Sequence, residues 1–232
     1  MAAGDITDDL LVQLGERLEE PELDGDQWSL DFKLDKLNEA QIKFVNMIHP
    51  SYLTELEVVD ENVDMSSGEK NIETLSAAVP VGSGCTTCNQ YANGSVVLHG
   101  AKGILNVFVR PGGDFLNGKW ATPVDFRAVK KYFSGLYKYS DTNILYYVFG
   151  AKLRILLTTL EDTTADIYWL KIPCEITQSA DPEINSAFFQ ILLDIAESLC
   201  WPKEGEFEAR RVGAWVVAVE QIRMMNQKVF EK

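Results

Sequence analysis

Apolar residues recur at helical spacing near both ends of the chain and at strand spacing between them. Ile6, Leu10, Leu11, Leu14 and Leu18 predict an amphipathic first helix, with Asp5 or Thr7 as its cap. Glu19 to Asp26 is an acidic Pro/Gly loop. Ser29 then caps a second helix whose stripe is Leu30, Leu34, Leu37, Val45 and Ile48, ended by His49-Pro50. Two such helices joined by a short loop read as a helical hairpin.

From Tyr52 to Thr164 the period changes. Leu56–Val59, Val96–His99, Ile104–Val109, Phe126–Phe133 and Ile144–Leu157 are short apolar segments separated by Gly, Asn, Asp and Ser, which predicts strands and a hairpin about Gly150. Ser66 to Gly118, rich in glycine, is the loosest third. Ile167 to Ile172 has the β-branched and aromatic character of a half-buried strand. Asp181-Pro182-Glu183 follows with an acceptor for an N-cap, a proline for N1 and a carboxylate near the positive pole of a helix. The helix expected there buries Ile184, Phe188, Ile191, Leu192, Ile195 and Leu199, and Trp201-Pro202 stops it. A last helix is predicted from about Gly205 to Phe230, with Val212, Val216, Val219 and Ile222 among its apolar positions. The expectation is an α+β fold. Residues 1–50 and 174–232 form a helical bundle, and residues 51–173 form a β-rich insertion within it.

Composition limits the function classes. The chain has 232 residues, 46% hydrophobic and 24% charged, enough to bury a core. Its net charge of −14 argues against a phosphate-binding surface, because nucleic-acid affinity rests on Lys and Arg. Met1 to Asp9 is acidic where a signal peptide needs a basic start and an apolar core. No apolar run reaches membrane-spanning length, so no membrane partner is expected. Four scattered cysteines do not make a disulfide scaffold, and a cytoplasmic setting follows.

Candidate chemistry is sparse. Gly113 to Lys119 has Walker A spacing, but Trp120 stands where a Ser or Thr must hold Mg²⁺, so a turn between strands is the better reading. Asp60-Glu61-Asn62-Val63-Asp64 imitates the opening of a calcium loop. Met65 replaces its glycine and Asn71 its closing glutamate, which leaves an acidic loop. Cys85-Thr86-Thr87-Cys88 is the sharpest local signal for zinc or thiol chemistry. Zinc would need two more ligands, and the chain's histidines are His49 and His99, so a loop with two reduced thiols is the default. His49 reads as a helix-terminal residue. No Gly-x-Ser-x-Gly or His-Glu-x-x-His motif is present, and carboxylate catalysis is the weakest reading. No cofactor and no metal is expected. Arg223, Met224, Met225, Val229 and Phe230 combine adaptable apolar side chains with positive charge, a composition suited to docking another protein. Met225 and Val229 can equally finish the core stripe of the last helix. The segment from Asn226 onward reads as dispensable for the core.

Three segments carry a resemblance. They are Lys171-Ile172-Pro173 followed by Asp181-Pro182-Glu183-Ile184 and Leu193-Asp194-Ile195-Ala196; Asp26-Gln27-Trp28 with Leu37-Asn38-Glu39-Ala40-Gln41; and the hairpin from Asn143 to Ile155. In these the chain resembles the head-to-tail adaptor proteins of tailed bacteriophages. The resemblance implies a non-enzymatic virion protein, assembled in the bacterial cytoplasm as a ring of about twelve copies between portal and tail. It would bind itself, the portal protein and tail or nozzle proteins, and DNA would pass through its channel without sequence-specific binding. The runner-up from the residues alone is a small zinc- or thiol-dependent protein centred on Cys85 and Cys88.

Overall fold

The computed structural model describes residues 5–19, 28–72, 103–133, 138–150, 152–171, 173–202, 205 and 207–230. The fold is α+β, with helices at both ends of the chain and strands between them. It divides into a helical unit, residues 1–56 with 172–232, and a β unit, residues 57–171.

The helical unit contains α1 (Asp5–Arg17), α2 (Leu30–Met47), α3 (Phe189–Cys200) and α4 (Glu208–Phe230). α3 is its hub and packs against the other three. Its sequence explains this position. Ile191, Leu192, Leu193, Ile195 and Ala196 are buried around most of its circumference, so no broad polar face remains to meet water. Leu10, Leu11 and Leu14 of α1 and Leu37, Ala40 and Phe44 of α2 fill the space against it. Arg17 anchors the end of α1 to α3 through Asp194 and Glu197. The α2 stripe is rotated from the expected one: Lys33, Leu37, Ala40, Gln41 and Phe44 face inward, and Leu30, Leu34 and Val45 are half-buried at its margin. Ser29 caps α2 as expected, its hydroxyl accepting from Phe32 N at 3.3 Å.

The expected helix start at Asp181-Pro182-Glu183 is corrected. That stretch is non-helical, a short 3₁₀ turn occupies Ser186–Phe188, and α3 begins only at Phe189. Asn185 caps the turn, accepting from Ala187 N at 2.9 Å. Asp181 is engaged elsewhere. Its Oδ1 accepts from Thr7 N at 2.9 Å and from the Thr7 hydroxyl at 3.2 Å, so it caps α1 across the fold. The cap expected of Asp5 or Thr7 is therefore supplied by a residue 174 positions away.

The β unit has two four-stranded sheets, in orders β1-β8-β3-β4 and β2-β7-β6-β5. The strands are β1 (Glu57–Asp64), β2 (Glu69–Asn71), β3 (Ile104–Arg110), β4 (Lys119–Trp120), β5 (Thr122–Pro123), β6 (Leu145–Phe149), β7 (Lys152–Leu156) and β8 (Thr164–Leu170). Both sheets contribute to one core, which includes Val107, Val109, Ile167 and Trp169 from the first and Tyr146, Leu153 and Ile155 from the second. The hairpin expected about Gly150 is β6–β7, and Gly150 takes φ +60°, a left-handed value that suits glycine. Arg110 and Asp166 form a buried ion pair between β3 and β8. Asp166 also accepts from Asn62 N at 2.9 Å, where a bulge interrupts β1.

Two readings in this unit are corrected. Phe126–Phe133 is not a strand but a run of turns with a 3₁₀ segment at Val129–Tyr132. Asp60 to Asp64 is not a loop but part of β1. Asp60 is buried and accepts from the Trp169 indole at 3.0 Å, so its carboxylate completes a cross-strand contact. Val96–His99 lies outside the described residues.

Candidate docking surface

Four of the residues that carried the resemblance, Asn38, Gln41, Asp181 and Glu183, take part in one piece of local architecture in the helical unit. Asn38 and Gln41 lie three positions apart on α2 and therefore share a face. Asn38 holds the backbone of Ile176 from both sides: its Oδ1 accepts from Ile176 N at 2.7 Å, and its Nδ2 donates to Ile176 O at 3.0 Å. Gln41 Nε2 donates to Cys174 O at 2.9 Å, and Cys174 N donates to Glu183 Oε2 at 2.8 Å. Residues 174 and 176 of a non-helical segment thus find their partners in side-chain amides and a carboxylate instead of a second strand. Buried backbone polar groups must be paired somewhere, and these side chains do it. With Asp181 on the start of α1, the four polar residues Asn38, Gln41, Asp181 and Glu183 fix the chain leading into α3. Their role is positioning.

α4 presents the larger surface. Its inward side is the line Trp215, Ala218, Ile222 and Met225, of which Ala218 and Ile222 are fully buried. The expected core positions Val212, Val216 and Val219 are corrected: they are 43%, 56% and 36% exposed. Val217, at 48%, and Gly213 lie on the outward side with them. No charge interrupts the run from Val212 to Val219. Valine is a modest helix former because its branched side chain loses rotamer freedom. Four exposed valines in one helix therefore contribute little to forming the helix, and they leave an apolar face on it.

The proposed docking residues divide between the two sides of α4. Arg223 and Met224 are on the outward side, where Arg223 is paired with Glu220 through bonds of 2.9 and 2.6 Å. That pair lowers the Glu220 carboxyl below its usual range and raises the Arg223 guanidinium. Met225 and Val229 are half-buried. The Met225 carbonyl accepts from the Tyr52 hydroxyl at 3.0 Å, which ties this turn of α4 to the 3₁₀ turn at Pro50–Tyr52. Phe230 ends α4, and its side chain lies outside the described residues. The apolar surface that sequence reading placed on the last turns therefore centres two to four turns earlier. A signal for it was present: four valines in the first half of a helix that buries only part of its circumference.

The remaining candidates are dispersed. Cys85 and Cys88 lie outside the described residues. Cys174 is disulfide-bonded, which differs from the reading of unlinked cysteines. Cys200, the last residue of α3, is an unbridged buried thiol, and that burial pushes its pKa up to about 12. His49 accepts from Ser51 N at 3.2 Å and so caps the 3₁₀ turn that follows it. Gly113 to Lys119 joins β3 to β4 through 3₁₀ turns. No cluster of three His, Cys, Asp or Glu positioned for a metal occurs among the described residues. No helix among them is long and apolar enough to cross a membrane. No protein-family model matches the chain, and no curated protein matches it.

Proposed function

We propose that this chain is a non-catalytic assembly protein, a head-to-tail adaptor of a tailed-phage particle. It packs side to side with copies of itself between portal and tail and continues the channel through which DNA passes. The observation that carries the reading is the outward valine face of α4, Val212, Val216, Val217 and Val219, on a helix whose opposite side is anchored to α3. An apolar face of this kind on a fixed helix is suited to burial against a neighbouring protein, where each large side chain taken out of water contributes roughly 1.5–3 kcal/mol. Asn38, Gln41 and Glu183 hold residues 174 and 176 while Asp181 caps α1, so residues from two of the resemblance segments fix the chain that leads into α3. The strongly acidic chain is compatible with DNA that slides past without adhering.

The test is sedimentation of the purified chain alone and mixed with portal particles, with Val216→Lys and Val217→Lys as variants. The reading expects a discrete ring, or a complex with portal, that both variants weaken while circular dichroism stays unchanged. Wild-type protein that remains monomeric and does not bind portal would overturn it.

A further inference from the structure

We propose that the cavity between α2, α3 and α4 is a binding pocket for a carboxylate carried on a short apolar stem, an inference that does not depend on the adaptor reading. The cavity has a volume of about 210 Å³ and is lined by Lys43, Ser198, Leu199, Trp201, Arg211 and Trp215. Two indoles and a leucine make its walls apolar, and Lys43 and Arg211 give it positive charge in a chain whose net charge is −14. Trp201 is only 4% exposed, yet its indole N–H finds no acceptor among the described residues, and neither does the buried Nε–H of Arg211. Buried donors are almost always paired in folded proteins. Two buried donors without acceptors, carried by two residues that line the same cavity, are matched by an acceptor with two oxygens.

The charges at the rim select the ligand. Lys43 is bonded to Glu39 at 3.1 Å, and a terminal nitrogen of Arg211 lies 4.0 Å from Glu208. Each cation already has one carboxylate beside it, so a single further negative charge is tolerated better than two. That favours a carboxylate over a phosphate. Ser198 has committed its proton to Ile195 O at 2.6 Å and offers the ligand no donor. The Lys43 ammonium, 5.8 Å from the centre of the Trp215 ring, sits against one aromatic wall. The cavity is smaller than the roughly 300–1,000 Å³ of pockets for drug-sized molecules, which limits the stem to a few carbons or one ring. The carboxylate can belong to a free organic acid or to a glutamate side chain of a second copy.

The full chain, labelled with ¹⁵N, distinguishes these sources through the indole N–H signals of Trp201 and Trp215. Hydrocinnamate is the probe for the free acid, and its neutral amide and inorganic phosphate are the controls. The expected result is a saturable downfield shift of the Trp201 indole proton with hydrocinnamate. The neutral amide should bind at least about tenfold more weakly, as loss of a charged hydrogen bond predicts. Arg211→Gln and Lys43→Gln should each weaken hydrocinnamate by a similar factor while the rest of the spectrum is preserved. A Trp201 shift that instead grows with protein concentration in the ligand-free chain, and is lost in Arg211→Gln, assigns the carboxylate to a second copy. The proposal is overturned if the amide or phosphate binds as well as hydrocinnamate. It is equally overturned if neither ligand nor protein concentration moves the Trp201 signal.

Discussion

Asn226 on α4 caps the end of α2: its Oδ1 accepts from His49 N at 2.7 Å, and its Nδ2 donates to Met47 O at 2.9 Å. The last carbonyls of a helix lack internal partners, and the chain turns sharply at His49-Pro50, where proline has no N–H to offer. One carboxamide supplies both a donor and an acceptor at that corner. Asn226 therefore takes part in the fold of the helical unit, although its near-terminal position reads as dispensable for the core. Asn226→Ala should lower stability by about 1–3 kcal/mol, the sum of two modest hydrogen bonds at a half-buried site. Urea melts check this, and an unchanged midpoint would show that the corner is held by other contacts. Deleting residues 226–232 should cost at least as much as the single substitution.

The opposite sides of two neighbouring helices give a second prediction. Ile195 on α3 is fully buried, and Val216 on α4 is 56% exposed. Ile195→Ala should cost about 2–5 kcal/mol because it opens a cavity in the hub of the helical unit. Val216→Ala should change stability by no more than about 0.5 kcal/mol, since it removes little buried surface and alanine is the better helix former. Equal losses for the two variants would mean that the valine face is packed within the monomer.

The contrast between α3 and α4 also shows what the sequence could convey. Ile191, Leu192 and Ile195 recur at helical spacing, and the structure buries all three, because a helix surrounded by partners needs apolar residues on most sides. Val212, Val216 and Val219 recur with the same spacing and face outward. Periodicity identifies a helix and an apolar face, but not what covers that face. The Asp181-Pro182-Glu183 signal failed for a related reason. Its residues have the chemistry of a helix start, but Asp181 Oδ1 meets the N-terminus of α1 and Glu183 meets Cys174 N. Capping chemistry is local in sequence only when the orphan N–H groups are local, and here they are 174 positions away. The strands were more legible, since Ile104–Arg110 and the hairpin about Gly150 are specified by alternation and one turn. Phe126–Phe133 was misread because aromatic content resembles strand composition even where Asp125 and successive 3₁₀ turns organise the backbone.

Asp181 provides a third prediction. Replacing it with alanine removes the acceptor for the backbone N–H of Thr7, a residue that is fully buried, and leaves the Thr7 hydroxyl with Ala180 O, at 3.2 Å, as its acceptor. The loss should be about 0.5–2 kcal/mol, the range measured for removing an N-cap acceptor. Asp181→Asn should retain most of that stability, because an amide oxygen can still accept both bonds, and should lose only the charge opposite the helix dipole. Denaturant midpoints of the two variants decide it. An alanine variant as stable as the asparagine one would show that Asp181 does not cap α1 in solution.

The last prediction concerns acid and the β unit. Asp141 precedes the β6–β7 hairpin and is bonded to the segment that follows it. Its Oδ1 accepts from Thr158 N at 2.9 Å and from Thr159 N at 2.8 Å, and its Oδ2 accepts from the Thr159 hydroxyl at 2.7 Å. Partial desolvation tends to raise this carboxyl, but the hydrogen bonds from Thr159 and Thr158 outweigh it and hold the pKa at about 2, below the ordinary 3.8. A group whose pKa is depressed by folding stabilises the fold while it is ionised. That contribution is fully present above the unfolded value of 3.8 and is lost as pH falls toward 2. Asp141→Asn cannot ionise, so it should be less stable than the wild type at neutral pH. The difference between the two proteins should then shrink as the pH is lowered across that interval. Urea melts of both proteins at several pH values, followed by near-UV circular dichroism, measure the difference. A gap that stays constant from neutral pH down to the acid limit would show that the carboxylate charge contributes nothing to this corner, and that the threonines are held by the geometry of the turn alone.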